Sequence, residues 1–190
     1  MILFFKLVTV MLINYKLSIS IGLILLNYMA CTSTAKPLEH HESFLTQTIN
    51  CPEGWSCSLE IEKNKSAKIE FDKFNRSYLS IEESKSTLLK FNYTRNPIPG
   101  TADSGYDEEI YLNLDKIPTN IYLEDESLNE VNAIFGRMCF CTKESTGYFP
   151  IRTGTLKIQK IKKNRFKIDF SFKLETVPQV VEKISEILQF

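Results

Sequence analysis

Apolar and polar residues alternate along most of the chain after Cys57. The clearest example runs from Phe166 to Leu174, where every second residue is Phe, Ile or Leu and the residues between them are Lys, Asp and Ser. Because successive side chains of a β-strand point to opposite faces, a period of two predicts half-buried antiparallel strands. Similar patterns predict further strands at residues 57–62, 67–71, 87–93, 106–114, 134–141 and 154–161.

These strands together predict a mainly β protein. A hairpin turn is expected at residues 162–164, where Lys-Lys-Asn joins the last two strands. The fold class that fits the pattern is an antiparallel β-sandwich or a partly open barrel of about seven or eight strands.

Two segments have helical rather than alternating spacing. The first has apolar residues three and four positions apart behind a candidate cap, Asp125, and comprises Leu128, Val131, Ile134 and Phe135. The second follows Pro178, a residue favoured in the first turn of a helix, and comprises Val180, Val181, Ile184, Ile187 and Leu188. It predicts a short C-terminal amphipathic helix that covers an open end or face of the sheet. A partner-binding helix is the alternative.

The first 30 residues have the features of an export segment. They contain no Asp or Glu and only two Lys residues, Lys6 and Lys16. Counted from Met11, which we expect to be the true start, the order is a short basic region, an apolar region and a small-residue end, as in a secretory signal. We therefore predict a signal peptide at residues 1–30. A retained membrane anchor is the alternative, although a span needs roughly 20 apolar residues and would place Lys16 within the membrane.

Cys31 directly follows the small residue Ala30 at the end of this apolar segment. The arrangement resembles the export signal of bacterial lipoproteins, and the likeness covers only the first 31 residues. The resemblance implies that the Cys31 sulfur carries lipid and that the preceding peptide is removed. Thr32, in place of the Asp that retains some lipoproteins in the inner membrane, favours the outer membrane. Tyr28 stands where the family usually has Leu. If Tyr28 prevents lipidation, a secreted soluble protein is the alternative.

The rest of the chain divides into a tether and one domain. Residues 31–50 are polar and predict a lipid-anchored tether, and residues 51–190 predict a single β-rich globular domain. At the level of pattern, residues 139–141 and 147–156 resemble small β-rich envelope lipoproteins of Gram-negative bacteria, whose function is unassigned. Removing the first 30 residues leaves 21 Lys and Arg against 23 Asp and Glu, so we expect no nucleic-acid partner.

Five cysteines leave four once Cys31 is assigned to lipid. An even remainder in an exported protein predicts disulfides, and the candidates are Cys51, Cys57, Cys139 and Cys141. Bonds between the two pairs are the first expectation, because a bond between Cys139 and Cys141 requires a tight ring. The alternative is a local Cys51–Cys57 bond beside a Cys139/Cys141 dithiol or strained bond. The spacing departs from that of zinc sites, so we expect no metal.

The longest loop between predicted strands extends from Arg95 to Gly105 and contains two prolines. Loops on a rigid scaffold often carry binding residues. We therefore interpret it as a candidate binding loop, with a plain connection as the alternative; its candidate residues are Arg95, Pro97, Pro99, Asp103 and Tyr106.

Two further features have both structural and functional interpretations. Trp55, the only tryptophan, lies between two cysteines and is either a core residue beneath a disulfide or a contact aromatic. The predicted hairpin at residues 154–174 is rich in Lys and Arg. These cations either protect exposed strands from aggregation or contact anionic lipid headgroups or acidic glycans.

Common catalytic motifs are missing from the sequence, including G-x-S-x-G, H-E-x-x-H and the phosphate-binding glycine loop. We therefore expect a membrane-anchored envelope lipoprotein that acts as a non-catalytic binding or accessory module, without a cofactor. Its expected partners are the membrane, through lipid on Cys31, and an envelope protein or glycan. A small barrel that binds an apolar ligand is the first alternative, and an envelope hydrolase is the second.

Overall fold

The computed structural model describes residues 44–115 and 120–190. Ten strands occur within these residues: β1 Phe44–Thr48, β2 Trp55–Phe71, β3 Ser77–Arg95, β4 Tyr106–Leu114, β5 Asn120–Glu124, β6 Ile134–Cys139, β7 Gly147–Pro150, β8 Gly154–Lys162, β9 Arg165–Phe172 and β10 Lys183–Gln189. Short 3-10 helices occupy Asp125–Val131 and Lys143–Ser145.

The strands form two antiparallel sheets that pack face to face. The larger sheet has the order β1-β2-β3-β4-β6-β7, and the smaller has the order β10-β9-β8-β5. The mainly β prediction is confirmed, and the arrangement is consistent with the predicted β-sandwich. More strands are present than the seven or eight expected. β1, β5 and β7 have only four or five residues, too few to give a clear alternation, and β10 was expected to be a helix, whereas the strands predicted at residues 57–62 and 67–71 form the single strand β2.

One hydrophobic core lies between the inner faces of the two sheets. Phe91 and Phe135 of the larger sheet and Phe170 of the smaller one are fully buried in it. The rings of Phe170 and Phe172 stack with their centroids 4.8 Å apart. Along β9 buried and exposed residues alternate, which is the pattern that the sequence predicted. The inward Phe side chains therefore pack against each other.

The N-terminal boundary of the domain differs from the prediction. Strand β1 lies within residues 31–50, the predicted tether, and pairs with β2 from Phe44 opposite Glu62 to Thr48 opposite Ser58. The predicted signal peptide, Cys31 and the first part of the tether lie outside the described residues. Among residues 44–115 and 120–190, no helix is long and apolar enough to cross a membrane.

The predicted C-terminal amphipathic helix is wrong, because Lys183–Gln189 form strand β10. Ile184 and Leu188 are buried and Ile187 is exposed. A spacing of four residues places two side chains on one face of a helix and equally on one face of a strand. Pairing with β9 satisfies the backbone of this segment, and tertiary context therefore decides between the two structures.

The other predicted helix is shorter than its apolar spacing suggests. Asp125–Val131 form a 3-10 helix whose N-cap is Glu124 rather than the predicted Asp125. Asn132 ends this helix in the left-handed conformation, with φ of 41°. Strand β6 begins two residues later, at Ile134. Leu128 is fully buried, so this turn closes one part of the core.

A bent hairpin covers part of the outer face of the larger sheet. The β2–β3 pairing shifts register between Lys63 and Lys65, where Asn64 has φ of 61°. Beyond this bulge lies the hairpin arm, residues 65–83, in which Ala67 is buried against Tyr111. The side chain of Asn113 accepts from the Ala67 N–H and donates to the Ala67 carbonyl, both at 2.8 Å. These bonds hold the hairpin arm against β4.

Candidate functional site

The structure brings together only part of the predicted binding loop. Arg95 and Tyr106, at the two ends of the loop, lie beside each other and beside Trp55. Of the loop residues between them, Ser104 contacts Arg95 through its backbone carbonyl, whereas Pro97, Pro99 and Asp103 are exposed and do not join this group. Trp55 is half-buried against the core and meets the ring of Tyr106 edge to face, with centroids 5.6 Å apart. The interpretation of Trp55 as a core residue is therefore the better of the two.

These residues belong to a polar cluster at one end of the inner face of the larger sheet, formed by Trp55, Arg95, Tyr106, Glu108 and Arg137. Strand register creates it, because Trp55 lies opposite Arg95 and Glu108 lies opposite Arg137. The guanidinium carbons of Arg95 and Arg137 lie 5.2 Å and 5.1 Å from the centroid of the Tyr106 ring. Both cations therefore contact the π system of Tyr106.

Glu108 is the fully buried centre of the polar cluster. One carboxylate oxygen, Oε1, accepts from the Tyr106 hydroxyl and from the Val180 N–H, each at 2.7 Å, and Oε2 accepts from the Val181 N–H at 2.7 Å. These charge-assisted bonds replace the water that the buried carboxylate has lost. Both oxygens are therefore engaged in holding the segment before β10 against the larger sheet.

Arg137 completes the hydrogen-bond chain. Its Nε donates to the Tyr106 oxygen at 3.0 Å, and a terminal nitrogen donates to the Ser145 carbonyl at 2.7 Å. Burial raises the pKa of Tyr106, which keeps its hydroxyl protonated as the donor to Glu108. The polar cluster is thus a structural clamp that joins the strands to the Lys143–Ser145 turn and to the C-terminal segment.

Sequence reasoning missed Glu108 and Arg137, although a signal for both was present. Glu108 occupies an inward position between Tyr106 and Ile110, both buried in β4. Arg137 stands two residues after the buried Phe135. A charged residue at an inward position of an alternating strand requires a partner, and two such residues on separate strands predict a buried polar network.

Arg95 is held less completely than Arg137. A terminal nitrogen of its guanidinium donates to the Ser104 carbonyl at 2.9 Å. Within residues 44–115 and 120–190, its Nε is the only buried side-chain polar atom without a hydrogen-bond partner. The side chain as a whole is half-buried, and stacking on Tyr106 together with the Ser104 contact fixes its position.

The cysteines form two local disulfides, Cys51–Cys57 and Cys139–Cys141. The first expectation of bonds between the two pairs is therefore wrong. Cys57 lies on β2 and Cys139 on β6, and two strands separate these strands in the sheet. At about 4.7 Å per strand the separation is roughly 14 Å, beyond the reach of a disulfide.

A surface cavity of about 460 Å³ adjoins the first disulfide and is lined by Cys51, Pro52, Tyr93 and residues 180–186.

A second cavity, the arm groove, lies between the tip of the hairpin arm and strands β6 and β7. Its volume is about 600 Å³. Its lining is largely apolar, with side chains of Phe71, Tyr78, Met138, Tyr148 and Phe149. Phe71 is 62% exposed and Tyr78 is 44% exposed, so the groove opens to solvent.

The tip of the hairpin arm adds another exposed aromatic residue beside the groove. Phe74 is 59% exposed, and its ring lies 5.0 Å from the Lys73 ammonium and 5.5 Å from the Arg76 guanidinium carbon. Asp72 fixes this turn, since its Oδ1 accepts from the Phe74 N–H at 2.8 Å and from the Arg76 N–H at 2.9 Å. Hydrogen bonding from the Arg76 backbone is the main cause that lowers the pKa of Asp72.

Gly147 allows the hairpin arm to approach β7 closely, and Gly136 leaves room for the Tyr148 ring on the neighbouring strand. A Cβ on Gly147 would lie 2.5 Å from the Ser77 Oγ, and a Cβ on Gly136 would lie 2.7 Å from the Tyr148 ring. Gly147 also has φ of 119°, which side chains rarely adopt. The arm groove therefore depends on glycine at these two positions.

Beneath the hairpin arm, Tyr111 and Tyr148 share one carboxylate. Both hydroxyls donate to Glu109 Oε2, at 2.9 Å and 3.1 Å, and Lys90 lies 3.4 Å from the other oxygen. Burial is the main cause that raises the pKa of each tyrosine. This network supports the floor of the groove next to Tyr148.

Chemically, the two sites differ in what they offer to another molecule. Tyr106, Glu108 and Arg137 of the polar cluster are buried and hydrogen-bonded to each other and to backbone groups of the protein, whereas the arm groove presents accessible aromatic side chains. Among the described residues, no group of His, Cys, Asp and Glu is placed to hold a metal ion.

No protein-family model matches the chain, and no curated protein or solved structure is significantly similar to it. Function is therefore inferred from the molecule's own geometry.

Proposed function

We propose that this protein is a membrane-anchored lipoprotein of the bacterial cell envelope, held in the outer membrane by lipid on Cys31, and that it acts as a non-catalytic binding module. The export segment before Cys31 supports the anchor. The local disulfides support an oxidising compartment outside the cytosol. An envelope protein is the expected partner.

The arm groove is the observation that carries the binding proposal. Phe71 and Tyr78 are exposed and line a largely apolar cavity of about 600 Å³, and Phe74 is exposed in the turn between them. Aromatic side chains that bind in or beside a pocket are favoured anchors in protein interfaces. The hydrogen bonds of Asp72 hold this turn in one conformation, which lowers the entropic cost of binding.

Affinity capture from envelope extract tests the binding role. The full chain is compared with a Phe71→Ser/Phe74→Ser variant and with an Ile81→Ser variant, whose residue is 45% exposed on the same arm but does not line the groove. We expect the double variant to lose at least tenfold in recovered partner and the Ile81 variant to bind as the native chain does. Equal recovery by the double variant and the native chain would contradict the role of the groove.

Intact-mass analysis of the protein from its native host tests the anchor. We expect a chain that begins at Cys31 and carries diacylglycerol and an acyl chain. Its mass should increase by that of four hydrogens when a reductant reduces the two disulfides. A mass without lipid that begins at Thr32 or Lys36 would contradict the anchor and would indicate a secreted soluble protein.

The arm groove also supports a second candidate function, the binding of a small apolar ligand. Ligand pockets typically have volumes of about 300–1,000 Å³ and a mostly apolar lining, and the groove satisfies both criteria. The ligand would lie on the outer face of the larger sheet rather than inside a barrel. Native mass spectrometry of the purified chain tests this function, and a spectrum without any bound small molecule would weigh against it.

A further inference from the structure

The outer face of the smaller sheet carries an excess of positive charge. Its outward positions include Lys157 on β8, Arg165 and Lys167 on β9, and Lys183 on β10, all exposed. Lys162 and Lys163 extend this surface at the β8–β9 hairpin. We call the outward surface of β5, β8, β9 and β10, together with this hairpin end, the basic face.

Few carboxylates balance these six cations. Asp169 lies opposite Lys157 and is already engaged by the Lys167 ammonium at 2.9 Å and by the Ser185 hydroxyl at 2.6 Å. Glu124 stands at the far end of β5. The whole chain contains equal numbers of basic and acidic residues, 23 of each, so the excess on this face is a local asymmetry. Such a surface attracts polyanions.

Apolar side chains protrude between the cations of the basic face. Tyr122, which lies opposite Lys157, is 63% exposed, and Ile187, which lies opposite Lys167, is 44% exposed. Ile161, next to the hairpin turn, is 47% exposed. The face therefore combines positive charge with single apolar side chains across the breadth of a four-stranded sheet.

We propose that the basic face docks on the surface of an anionic lipid bilayer. Lysine and arginine side chains would meet lipid phosphates while Tyr122, Ile161 and Ile187 enter the boundary between headgroups and acyl chains. An acidic polysaccharide would satisfy the cations and leave the apolar side chains in water, so a bilayer matches both features. The inference rests on the proposed function for its setting, since an anchored domain stays within reach of such a surface.

Docking on the basic face would orient the domain. The inner face of the larger sheet is packed against the smaller sheet, and the hairpin arm lies on the opposite, outer face of the larger sheet. A bilayer against the basic face therefore leaves the arm groove directed away from the lipid. Lipid docking and partner binding would use different surfaces of one domain.

Vesicle flotation with the full chain from its native host tests the inference. The probes are vesicles of phosphatidylcholine alone and of an equal mixture with phosphatidylglycerol. Binding to phosphatidylcholine alone reports the acyl anchor of the proposed function, whereas additional binding to the mixture reports the basic face. Each cation near an anionic surface contributes roughly fivefold in affinity, so a Lys157→Gln/Lys163→Gln/Arg165→Gln variant should lose on the order of 100-fold of that additional binding.

Two further variants sharpen the test. A Lys63→Gln/Lys73→Gln/Lys85→Gln variant removes three exposed cations from the β2–β3 hairpin and should bind the mixed vesicles as the native chain does. A Tyr122→Ser/Ile187→Ser variant should lose several-fold in vesicle binding and keep its binding to dextran sulfate. Equal losses of vesicle binding in the basic-face variant and in the β2–β3 hairpin variant would overturn the inference. Unchanged vesicle binding by the Tyr122/Ile187 variant would identify a general polyanion site instead and would also overturn it.

Discussion

The hydroxyl oxygen of Ser77 accepts a hydrogen bond from the backbone N–H of Tyr148 at 2.8 Å. This bond joins the hairpin arm to the edge strand β7 across 71 residues of sequence. It therefore connects the two walls of the arm groove. The groove consequently exists only while the arm remains folded over the larger sheet, and the exposed aromatic residues of the tip would otherwise lack their opposite wall.

Replacement of Gly147 by Val should displace the hairpin arm. A Cβ at this position meets the Ser77 Oγ at 2.5 Å, and φ of 119° is unfavourable for any side chain. We expect a loss of about 1–3 kcal/mol in the free energy of unfolding, together with faster amide exchange in residues 65–83. Chemical denaturation and hydrogen exchange measure the two effects.

The matched control for this glycine is Gly105→Ala. A Cβ on Gly105 meets no atom within 4 Å. Its stability should therefore stay within about 0.5 kcal/mol of the native chain. A Gly147→Val chain with native exchange rates in the arm would show that the close approach of Ser77 does not hold the arm in place.

Replacement of Glu108 by Gln should destabilise the sandwich strongly. The new amide group would direct N–H donors at an N–H of Val180 or Val181, or at the Tyr106 hydroxyl. We expect a loss of about 2–4 kcal/mol, because a buried donor or acceptor would remain unsatisfied. Urea denaturation measures the loss.

Tyr106→Phe removes only the hydroxyl that links Arg137 to Glu108, and we expect a loss of about 1–3 kcal/mol. The Tyr106→Phe/Glu108→Gln double variant should lose less stability than the sum of the losses in the two single variants, since both changes break the same network. Strict additivity would mean that the two residues act independently and that the polar cluster is not one unit.

Removal of the Cys51–Cys57 bond by a Cys51→Ser/Cys57→Ser change should reduce stability modestly. The residues are six apart in sequence, and closing so short a loop contributes roughly 2 kcal/mol through the entropy of the unfolded chain. Peptide mapping of the native chain without reduction should yield Cys51 linked to Cys57 and Cys139 linked to Cys141. Any peptide that links Cys57 to Cys139 would contradict the connectivity.

The turn held by Asp72 should loosen in acid. A carboxyl with a pKa lower in the folded than in the unfolded state contributes stability above its unfolded pKa and loses that contribution as the pH falls through the folded pKa. The pKa of Asp72 lies below its ordinary value of 3.8, so the contribution should be complete at neutral pH and should disappear as the pH falls below 3.8. The stability difference between the native chain and an Asp72→Asn variant should shrink over that range. A difference that stays constant down to the lowest accessible pH would mean that the Asp72 charge does not hold the turn.

The sequence pattern predicted the strands well and the groove not at all. Strand β9 was predictable because apolar inward residues and polar outward residues alternate without interruption along it. In β10, Ile184 and Leu188 satisfy the helical and the strand period equally, and only the pairing with β9 distinguishes them. Local pattern thus determines a strand when it is long and fails when it is short or ambiguous.

The candidate sites depend on contacts between distant residues. The sequence indicates Arg95 and Tyr106 as ends of one candidate loop and Trp55 as a separate feature, and the meeting of all three depends on strand order and register. The arm groove further requires the bend at Asn64, which brings Ser77 to Tyr148. A left-handed residue such as Asn64 gives no sign in the sequence of where the hairpin will dock.

Photo-crosslinking in living cells tests the binding role of the arm groove most directly. A photoreactive phenylalanine analogue at position 71, which lines the groove, is compared with the same analogue at position 81, on the same arm but outside the groove lining. We predict a discrete cross-linked partner at position 71, no such product at position 81, and loss of the product when Gly147→Val is added. The same product at both positions, or a product that persists in the Gly147→Val chain, would contradict binding in the groove.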